Sequence, residues 1–248
     1  MARKSKARSL TDPLKSKVAV ITGASRGIGF AITEALAAAG SNVVITSRKS
    51  ADAESAAEEL AVHGVRVLPI QCDVRDEVAI ARLFQAVKDD FGQIDVLVNN
   101  AGHSHAPFPI ESLSTEVWQE TLATNLTGTF LCTRAALPLL TKGSTIVNNI
   151  SVAAYQTFPN FAAYTVSKAA LLAFTNALRE EVRARGIRVL ALVPGATDTD
   201  IWNQFWPDAP REKMVSPEDI AAVVVAALRV APVGAVDEIR IGPTSGRL

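Results

Sequence analysis

The chain has 248 residues, of which 48% are hydrophobic and 20% are charged. This composition is typical of a globular protein and excludes disorder as the main state. Basic and acidic residues number 25 each, so the net charge is zero, which argues against a dedicated nucleic-acid binder, since that function needs a basic excess.

Residues 1–16 carry five basic side chains and one acidic side chain. They form either a basic interaction arm or a solvated, frayed terminus, and the second interpretation is favoured. We therefore expect a flexible basic tail at 1–16 and a single folded domain at 17–248. No apolar segment follows these charges, so a signal peptide is not expected, and the longest apolar run, 220–228, is too short to span a membrane. Two cysteines in so long a chain favour a reducing compartment, the cytoplasm.

Short β-branched runs alternate with helical stretches along the chain. The predicted strands are 18–22, 42–47, 65–70, 94–98, 145–150, 187–193 and 238–241. The predicted helices are 27–39, 51–63, 77–91, 115–140, 162–185 and 217–230. Fully apolar strands that alternate with helices indicate a doubly wound α/β fold, in which helices cover both faces of a parallel sheet. Residues 195–216 are the one long irregular connection predicted, and connections of that length are often functional.

A glycine-rich turn follows the first strand and contains Gly23, Gly27 and Gly29. Small residues at that place let the backbone approach a pyrophosphate, and the N-terminus of the next helix offers unpaired N–H groups. A purely structural turn is the alternative, but the position after the first strand favours a dinucleotide site. The spacing is not the G-x-G-x-x-G of long-chain dehydrogenases.

The end of the second strand indicates which dinucleotide is bound. An acidic residue there would accept the ribose 2′-hydroxyl of NAD, whereas an arginine would pair with the 2′-phosphate of NADP. This chain has Ser47 and Arg48 there and no acid, and Arg26 could also reach a phosphate. Arg48 could instead be a simple surface charge, but the pattern favours NADP(H).

One tyrosine is placed for acid–base chemistry. Lys168 follows Tyr164 by four residues in a helical stretch, which puts both side chains on one helix face. A nearby ammonium favours the phenolate, so we expect the pKa of Tyr164 to fall below its ordinary value of about 10. The motif alone is most often structural, but here it does not stand alone. Ser151 ends the fifth predicted strand and Asn99 to Gly102 end the fourth, at the ligand-binding edge of the sheet, and Asn125 lies between them in the chain.

Taken together, these motifs resemble those of the short-chain dehydrogenase/reductase family, over a span from about Lys17 to Leu248. The nearest similarity is to 3-oxoacyl-[acyl-carrier-protein] reductases and related NADP-dependent carbonyl reductases. The motifs that carry the resemblance are the glycine turn, Asp73-Val74, Asn99-Asn100-Ala101-Gly102, Asn125, Ser151, Tyr164 with Lys168, and Pro194-Gly195. The resemblance implies a single-domain Rossmann-type fold with seven strands in the order 3-2-1-4-5-6-7, and a homotetramer or homodimer.

The resemblance also implies the reaction, which is hydride transfer between NADP(H) and a ketone/secondary alcohol pair, acting on CH–OH donors. Tyr164 would give its proton to the carbonyl oxygen, Ser151 would hydrogen-bond that oxygen, and Lys168 would lower the tyrosine pKa and bind the nicotinamide ribose. Asn125 would hold a water behind Lys168. The residues implied at the cofactor are Gly23, Ser25, Arg26, Gly27, Ile28, Gly29, Ser47, Arg48, Asp73, Val74, Asn100, Ala101, Gly102, Tyr164, Lys168, Pro194, Gly195, Thr197 and Thr199. The alternative is a non-catalytic, dinucleotide-binding redox sensor on the same fold.

Aromatic residues surround the expected substrate position. The residues predicted for the substrate pocket are His103, Tyr155, Phe158, Trp202, Phe205 and Trp206. They either form an apolar lid or pack on the body or a neighbouring subunit, and we expect a bulky or apolar carbonyl substrate. Since no basic cluster for an acidic carrier protein is evident, an acyl-carrier role is in doubt. No metal is expected, because the three histidines lack ligand spacing.

Overall fold

A computed structural model of the chain describes residues 12–204, 206–231 and 233–246. Seven parallel strands form one sheet in the order β3-β2-β1-β4-β5-β6-β7, which confirms the predicted topology. The strands are β1 Val18–Ile21, β2 Asn42–Ser47, β3 Val67–Gln71, β4 Ile94–Asn99, β5 Leu140–Asn149, β6 Arg188–Pro194 and β7 Glu238–Ile241. The α-helices are α1 Gly27–Ala38, α2 Ser50–Leu60, α3 Glu77–Phe91, α4 Thr115–Leu122, α5 Gly128–Ala136, α6 Ala162–Arg183 and α7 Pro217–Leu228.

Both faces of the sheet are covered by helices. Successive side chains of a strand point to opposite faces, and β1 shows this directly, since Ala19 and Ile21 lie in one apolar cluster and Val20 lies in another. The first cluster includes apolar residues of α1, α2 and α7, and the second includes those of α3, α5 and α6. The strands are therefore buried on both sides, which is why they are apolar throughout.

The predicted helix 115–140 is wrong as a single element. After α4, one π-helical turn at Ala123–Thr127 precedes α5, which ends at Ala136. Pro138 then lies in a short 3₁₀ turn, and the chain enters β5 at Leu140, five residues before the predicted start of that strand. A proline cannot continue an α-helix, because it lacks the N–H donor.

The predicted boundary of the basic tail at residue 16 is also wrong. Leu14 is buried in the first apolar cluster, and its carbonyl oxygen accepts a hydrogen bond from Ser41 Oγ at 2.7 Å. Asp12 pairs with Arg229 at the end of α7. Residues 12–16 therefore belong to the folded domain, while residues 1–11 of the predicted tail lie outside the described residues.

Three long irregular connections lie at the carboxyl edge of the sheet, rather than the one predicted. The described residues of 195–216 contain two short 3₁₀ turns and a bridge between Thr197 and Val215. Residues 150–161 contain one 3₁₀ turn, at Val152–Ala154. Residues 100–114 are also irregular apart from one 3₁₀ turn at Ile110–Ser112. Among the described residues no helix is both long enough and apolar enough to cross a membrane.

Candidate active site

A cleft of about 1240 Å³ lies at the carboxyl ends of the strands. Most of the predicted site residues line it: Gly23, Ser25, Arg26, Gly27, Ile28, Gly29, Ser47, Arg48, Asp73, Val74, Asn100, Ala101, Gly102, His103, Ser151, Phe158, Tyr164, Lys168, Pro194, Gly195, Thr197, Thr199, Trp202 and Trp206. Asn125 and Tyr155 are not among the lining residues. Phe205 lies outside the described residues. The fold thus gathers residues from the ends of six strands, β1 to β6, around one space.

The glycine turn brings the backbones of β1, β4 and α1 together. Gly23 has a φ of +62°, and a Cβ there would lie 2.9 Å from the Cα of Ala101. A Cβ on Gly29 would lie 2.3 Å from Asn100 Nδ2, which donates hydrogen bonds to the carbonyl oxygens of Thr22 and Gly23. These positions therefore require glycine, because any side chain would collide with the neighbouring loop.

The N-terminus of α1 opens onto the cleft. No side chain caps this helix, since the residue at the cap position is Arg26 and it makes no capping hydrogen bond. The first N–H groups of the helix, with the positive end of its dipole, thus face the space that Gly27, Ile28 and Gly29 line. Such a terminus fits a phosphate group.

Two arginines, Arg26 after β1 and Arg48 after β2, line the cleft. Arg48 is exposed directly after β2, beside the buried Ser47. Arg26 is also exposed and lies 4.0 Å from the carboxylate of Asp200. Asp73 pairs with Arg75 at 2.7 Å, and this hydrogen bond lowers the pKa of its carboxyl group.

Tyr164 lies in the first turn of α6, and its hydroxyl faces Ser151. Burial raises the pKa of Tyr164, while the side-chain hydrogen bond with Ser151 lowers it, and burial is the larger effect. The expectation of a lowered pKa is therefore wrong for the protein on its own. Lys168 Nζ lies 5.7 Å from the centre of the tyrosine ring, and burial outweighs any influence of its charge.

Lys168 is buried, with 5% of its surface exposed, and its ammonium donates a hydrogen bond to the carbonyl oxygen of Asn149 at 2.9 Å. Burial lowers its pKa from 10.5 to about 8. The Asn149 side chain donates to Asn100 Oδ1 at 2.8 Å, and Asn100 Nδ2 donates to the Gly23 carbonyl oxygen at 2.8 Å. A continuous chain of hydrogen bonds thus joins the glycine turn to the lysine.

Asn125 lies in the π-helical turn between α4 and α5. Its Oδ1 accepts from the N–H of His103 at 2.7 Å, and its Nδ2 donates to the His103 carbonyl oxygen and to Ser167 Oγ, both at 2.9 Å. These bonds fasten the loop after β4 to helix α6. The expected water behind Lys168 stays a prediction.

Hydrogen bonds and a ring contact within the loop after β6 hold that loop in place. Trp202 Nε1 donates to the carbonyl oxygen of Thr197 at 2.8 Å, and the rings of Trp202 and Trp206 meet edge to face with centroids 6.0 Å apart. Arg211 donates to the Thr199 carbonyl oxygen and to Asp198. The two tryptophans therefore line the cleft as a connected pair.

Tyr155 is the substrate-pocket prediction that the structure contradicts. Its hydroxyl donates to the carboxylate of Glu238 on β7, and its ring lies beneath the guanidinium of Arg240, 3.7 Å from the ring centroid. Glu238 and Arg240, both on the edge strand β7, therefore hold the Tyr155 side chain outside the cleft. In its place Gln156, the next residue, lines the cleft.

The comparison with protein families decides which family the chain belongs to. The model described as "short chain dehydrogenase" matches residues 17–210. The chain belongs to the short-chain dehydrogenase family. This membership makes it a dehydrogenase or reductase, and it confirms the resemblance drawn from the motifs.

Known members of the short-chain dehydrogenase family align over most of the chain. Human "Dehydrogenase/reductase SDR family member 4" is 36% identical over 225 residues, covering 86% of this chain and 81% of that protein. The 3-oxoacyl-[acyl-carrier-protein] reductase of a Synechocystis strain is 35% identical over 219 residues, covering 85% and 88%. The crystal structure of an alcohol dehydrogenase from Thermococcus sibiricus, complexed with 5-hydroxy-NADP, has a TM-score of 0.87 and 32% identity, covering 94% and 98%.

Sequence reasoning missed some residues of this short-chain dehydrogenase cleft. Asn149, Gln156 and Pro107 line it without having been predicted. Asn149 had a usable signal, because a second amide at the end of an apolar strand, two residues before Ser151, is unusual for a buried strand. Within the described parts of the chain, no group of three His, Cys, Asp or Glu side chains could hold a metal ion.

Proposed function

We propose that the protein is an NADP(H)-dependent oxidoreductase that interconverts a ketone and a secondary alcohol, with Tyr164 as the acid and base. The observation that carries this proposal is the joint placement of Ser151, Tyr164 and Lys168 on the wall of the cleft that begins at the glycine turn. A binding protein needs only the glycine turn, whereas a proton donor beside a hydroxyl and an ammonium serves a reaction.

The cofactor's phosphates would fit the uncapped N-terminus of α1, which glycine allows to lie close against Asn100 and the Gly23 carbonyl oxygen. Arg48 and Arg26 would pair with the 2′-phosphate, because no carboxylate ends β2 to repel it. Structural relatives described as complexes with NADP support this assignment. When bound, the nicotinamide supplies the hydride, and the protein supplies position and charge.

The protein's own residues would handle the proton. Reduction of a carbonyl builds negative charge on its oxygen, which the hydroxyls of Ser151 and Tyr164 would stabilise before Tyr164 protonates it. The raised pKa of Tyr164 keeps the phenol protonated at neutral pH, as a proton donor requires. Lys168 has three N–H donors, of which the Asn149 carbonyl oxygen takes one, so the others would be available to ribose hydroxyls. Asn125 would keep a water in the proton path behind Lys168.

The substrate end of the cleft favours a bulky, apolar carbonyl compound. Phe158, Phe161, Trp202, Trp206 and Pro107 line this part of the cleft. Closing such a surface over a substrate excludes water and strengthens the hydrogen bonds to the reacting oxygen. A panel of ketones should therefore show higher kcat/KM for bulky apolar members than for small charged ones, and the reverse order would contradict this substrate class.

The proposal is tested by measuring NADPH oxidation with that panel for the wild-type protein and for Tyr164→Phe. Loss of the proton donor should lower kcat by about 10²–10⁴ while NADPH binding is kept. Tyr155→Phe is the matched control, because that tyrosine bonds to Glu238 outside the cleft, and its turnover should match the wild type. Unchanged turnover in Tyr164→Phe would reject the role of the tyrosine, and no turnover with any ketone would favour the redox sensor.

Cofactor choice has a separate test. Arg48→Ala should weaken NADPH binding by about tenfold or more and leave NADH binding nearly unchanged, because only NADPH carries the 2′-phosphate. Fluorescence titration of both cofactors measures this, and an equal loss for both would reject the phosphate contact. The homotetramer or homodimer and the cytoplasmic location stay predictions.

A further inference from the structure

A buried histidine outside the proposed catalytic set lies directly against the backbone of the catalytic tyrosine. His105, in the irregular segment after β4, is 4% exposed. Its Nε2 accepts a hydrogen bond from the backbone N–H of Tyr164 at 3.4 Å, across 59 residues of sequence. Its Nδ1 contacts the carbonyl oxygen of Ala106 at 2.6 Å. Because a carbonyl oxygen can only accept, Nδ1 carries the proton and Nε2 is left as an acceptor.

This contact compensates for a missing helix cap. Helix α6 begins after Phe161, which offers no side-chain cap, and Tyr164 is one of the first residues whose N–H has no partner within the helix. His105 supplies that partner from another segment of the chain. The rings of Phe161 and Phe108 lie against the imidazole, with centroids 5.6 Å and 6.3 Å away, and hold it in place.

The other side of the Tyr164 peptide is also held. Ser167 Oγ donates to the Tyr164 carbonyl oxygen at 2.7 Å and accepts from Asn125 Nδ2. The same Asn125 side chain binds both backbone groups of His103, two residues before His105. The loop that carries the histidine and the helix that carries the tyrosine are therefore joined through both backbone groups of Tyr164.

We propose that His105 is a positioning residue, which holds the Tyr164 backbone through the hydrogen bond from the Tyr164 N–H to its imidazole and thereby fixes the place of the Tyr164 hydroxyl. The proposal rests on the proposed role of Tyr164 as proton donor. Without the acceptor, the first turn of α6 would lose its partner and Tyr164 could shift relative to the substrate. Displacing a reacting group by about 1 Å can cost about 10²-fold in rate.

The experiment compares ketone reduction by the wild type, His105→Phe and His105→Gln at neutral pH. Phenylalanine keeps the aromatic packing and removes the acceptor, so kcat should fall about tenfold while the Kd for NADPH stays the same. The Gln side chain restores an acceptor, so kcat should recover. His63→Phe, in the 3₁₀ turn that follows α2, should behave as the wild type.

Three results would overturn the positioning role: unchanged kcat in His105→Phe, a parallel loss of NADPH affinity, or a kcat in His105→Gln that is no higher than in His105→Phe. If the Phe variant does not fold, His105→Leu, which also lacks the acceptor, takes its place. Tyr164→Phe is measured alongside. Turnover in Tyr164→Phe would reject the proposed function itself, whereas its absence, together with normal behaviour of both His105 variants, would reject only this inference.

Discussion

Burial of the Lys168 ammonium lowers the free energy of unfolding, and this effect can be measured. The side chain is 5% exposed, and burial lowers its pKa from 10.5 to about 8. One pH unit of pKa corresponds to about 1.4 kcal/mol, so the difference corresponds to about 3 kcal/mol of disfavoured charge at neutral pH. Lys168→Met removes this charge, but it also removes the hydrogen bond to the Asn149 carbonyl oxygen, whose loss costs about 1–3 kcal/mol. At pH 7 we therefore expect Lys168→Met to be as stable as the wild type or up to about 2 kcal/mol more stable.

The pH dependence separates the two contributions. Between about pH 8 and pH 10.5 the unfolded chain retains a proton at this lysine that the folded protein has released. The free energy of unfolding rises with pH wherever the unfolded state binds more protons. Between these two pH values the free energy of unfolding of the wild type therefore rises by up to about 3 kcal/mol relative to that of Lys168→Met. Below about pH 8 the difference is constant. The hydrogen-bond contribution does not have this dependence.

Urea unfolding of the cofactor-free protein from pH 7 to pH 10, with the midpoint and slope fitted at each pH, measures the difference in free energy. Omitting the cofactor is necessary, because a ligand that binds only the folded state stabilises it by mass action. Lys142→Met, at an exposed lysine on β5, is the matched control and should show no such rise. A difference between wild type and Lys168→Met that does not change with pH would refute the reasoning, since it would mean that the folded lysine titrates as the unfolded one does.

Three further predictions concern Gly29 in the glycine turn, Trp206 in the loop after β6, and Tyr164. Gly29→Ala should destabilise the protein by about 1–3 kcal/mol and weaken NADPH binding, because its Cβ would lie 2.3 Å from Asn100 Nδ2. Gly92→Ala is strained by its φ of +74°, but its Cβ would meet no atom within 4 Å and NADPH binding should stay unchanged; an equal loss of NADPH affinity in the two variants would contradict the steric argument. Trp206→Ala should raise KM for bulky apolar ketones about tenfold with little change in kcat, and steady-state kinetics that show no change would remove this ring from the substrate site. Since burial raises the pKa of Tyr164, alcohol oxidation, which needs the phenolate, should rise with pH through the neutral range, while ketone reduction should not; identical pH–rate profiles in the two directions would contradict this.

The elements that could be predicted from sequence are those whose signal is local. The fully apolar β1, followed by glycines and a helix, predicts the dinucleotide cleft, because the strand, turn and helix are consecutive in the chain. The strand order follows once each strand is placed and the crossovers are right-handed. The helix predicted at 115–140 failed where local periodicity continued through the π-helical turn at Asn125, since apolar spacing alone does not distinguish a π turn from an α turn.

Properties that depend on tertiary surroundings could not be predicted in this way. The four-residue spacing of Tyr164 and Lys168 predicts a shared helix face, and both do line the cleft, but the sign of the tyrosine pKa depends on how deeply the hydroxyl is buried. Tyr155 was assigned to the pocket from its distance along the chain, yet Glu238 and Arg240, more than 80 residues away, hold it elsewhere. His105 gave no signal at all, because its partner is a backbone N–H.

Hydrogen-bonded amides between the strand ends explain how these separate elements can act together. In the proposed reaction, hydride transfer and proton transfer at one carbonyl would require the glycine turn and the pair Tyr164 and Lys168 to keep a fixed distance, within a fraction of an ångström. Here Asn100 binds the Gly23 carbonyl oxygen, Asn149 binds Asn100, and Lys168 binds the Asn149 carbonyl oxygen. A movement of the glycine turn is therefore passed to the lysine through three hydrogen bonds rather than through a flexible loop. That linkage accounts for amide side chains where the apolar strands end, and for a buried ammonium that the fold retains although burial disfavours its charge.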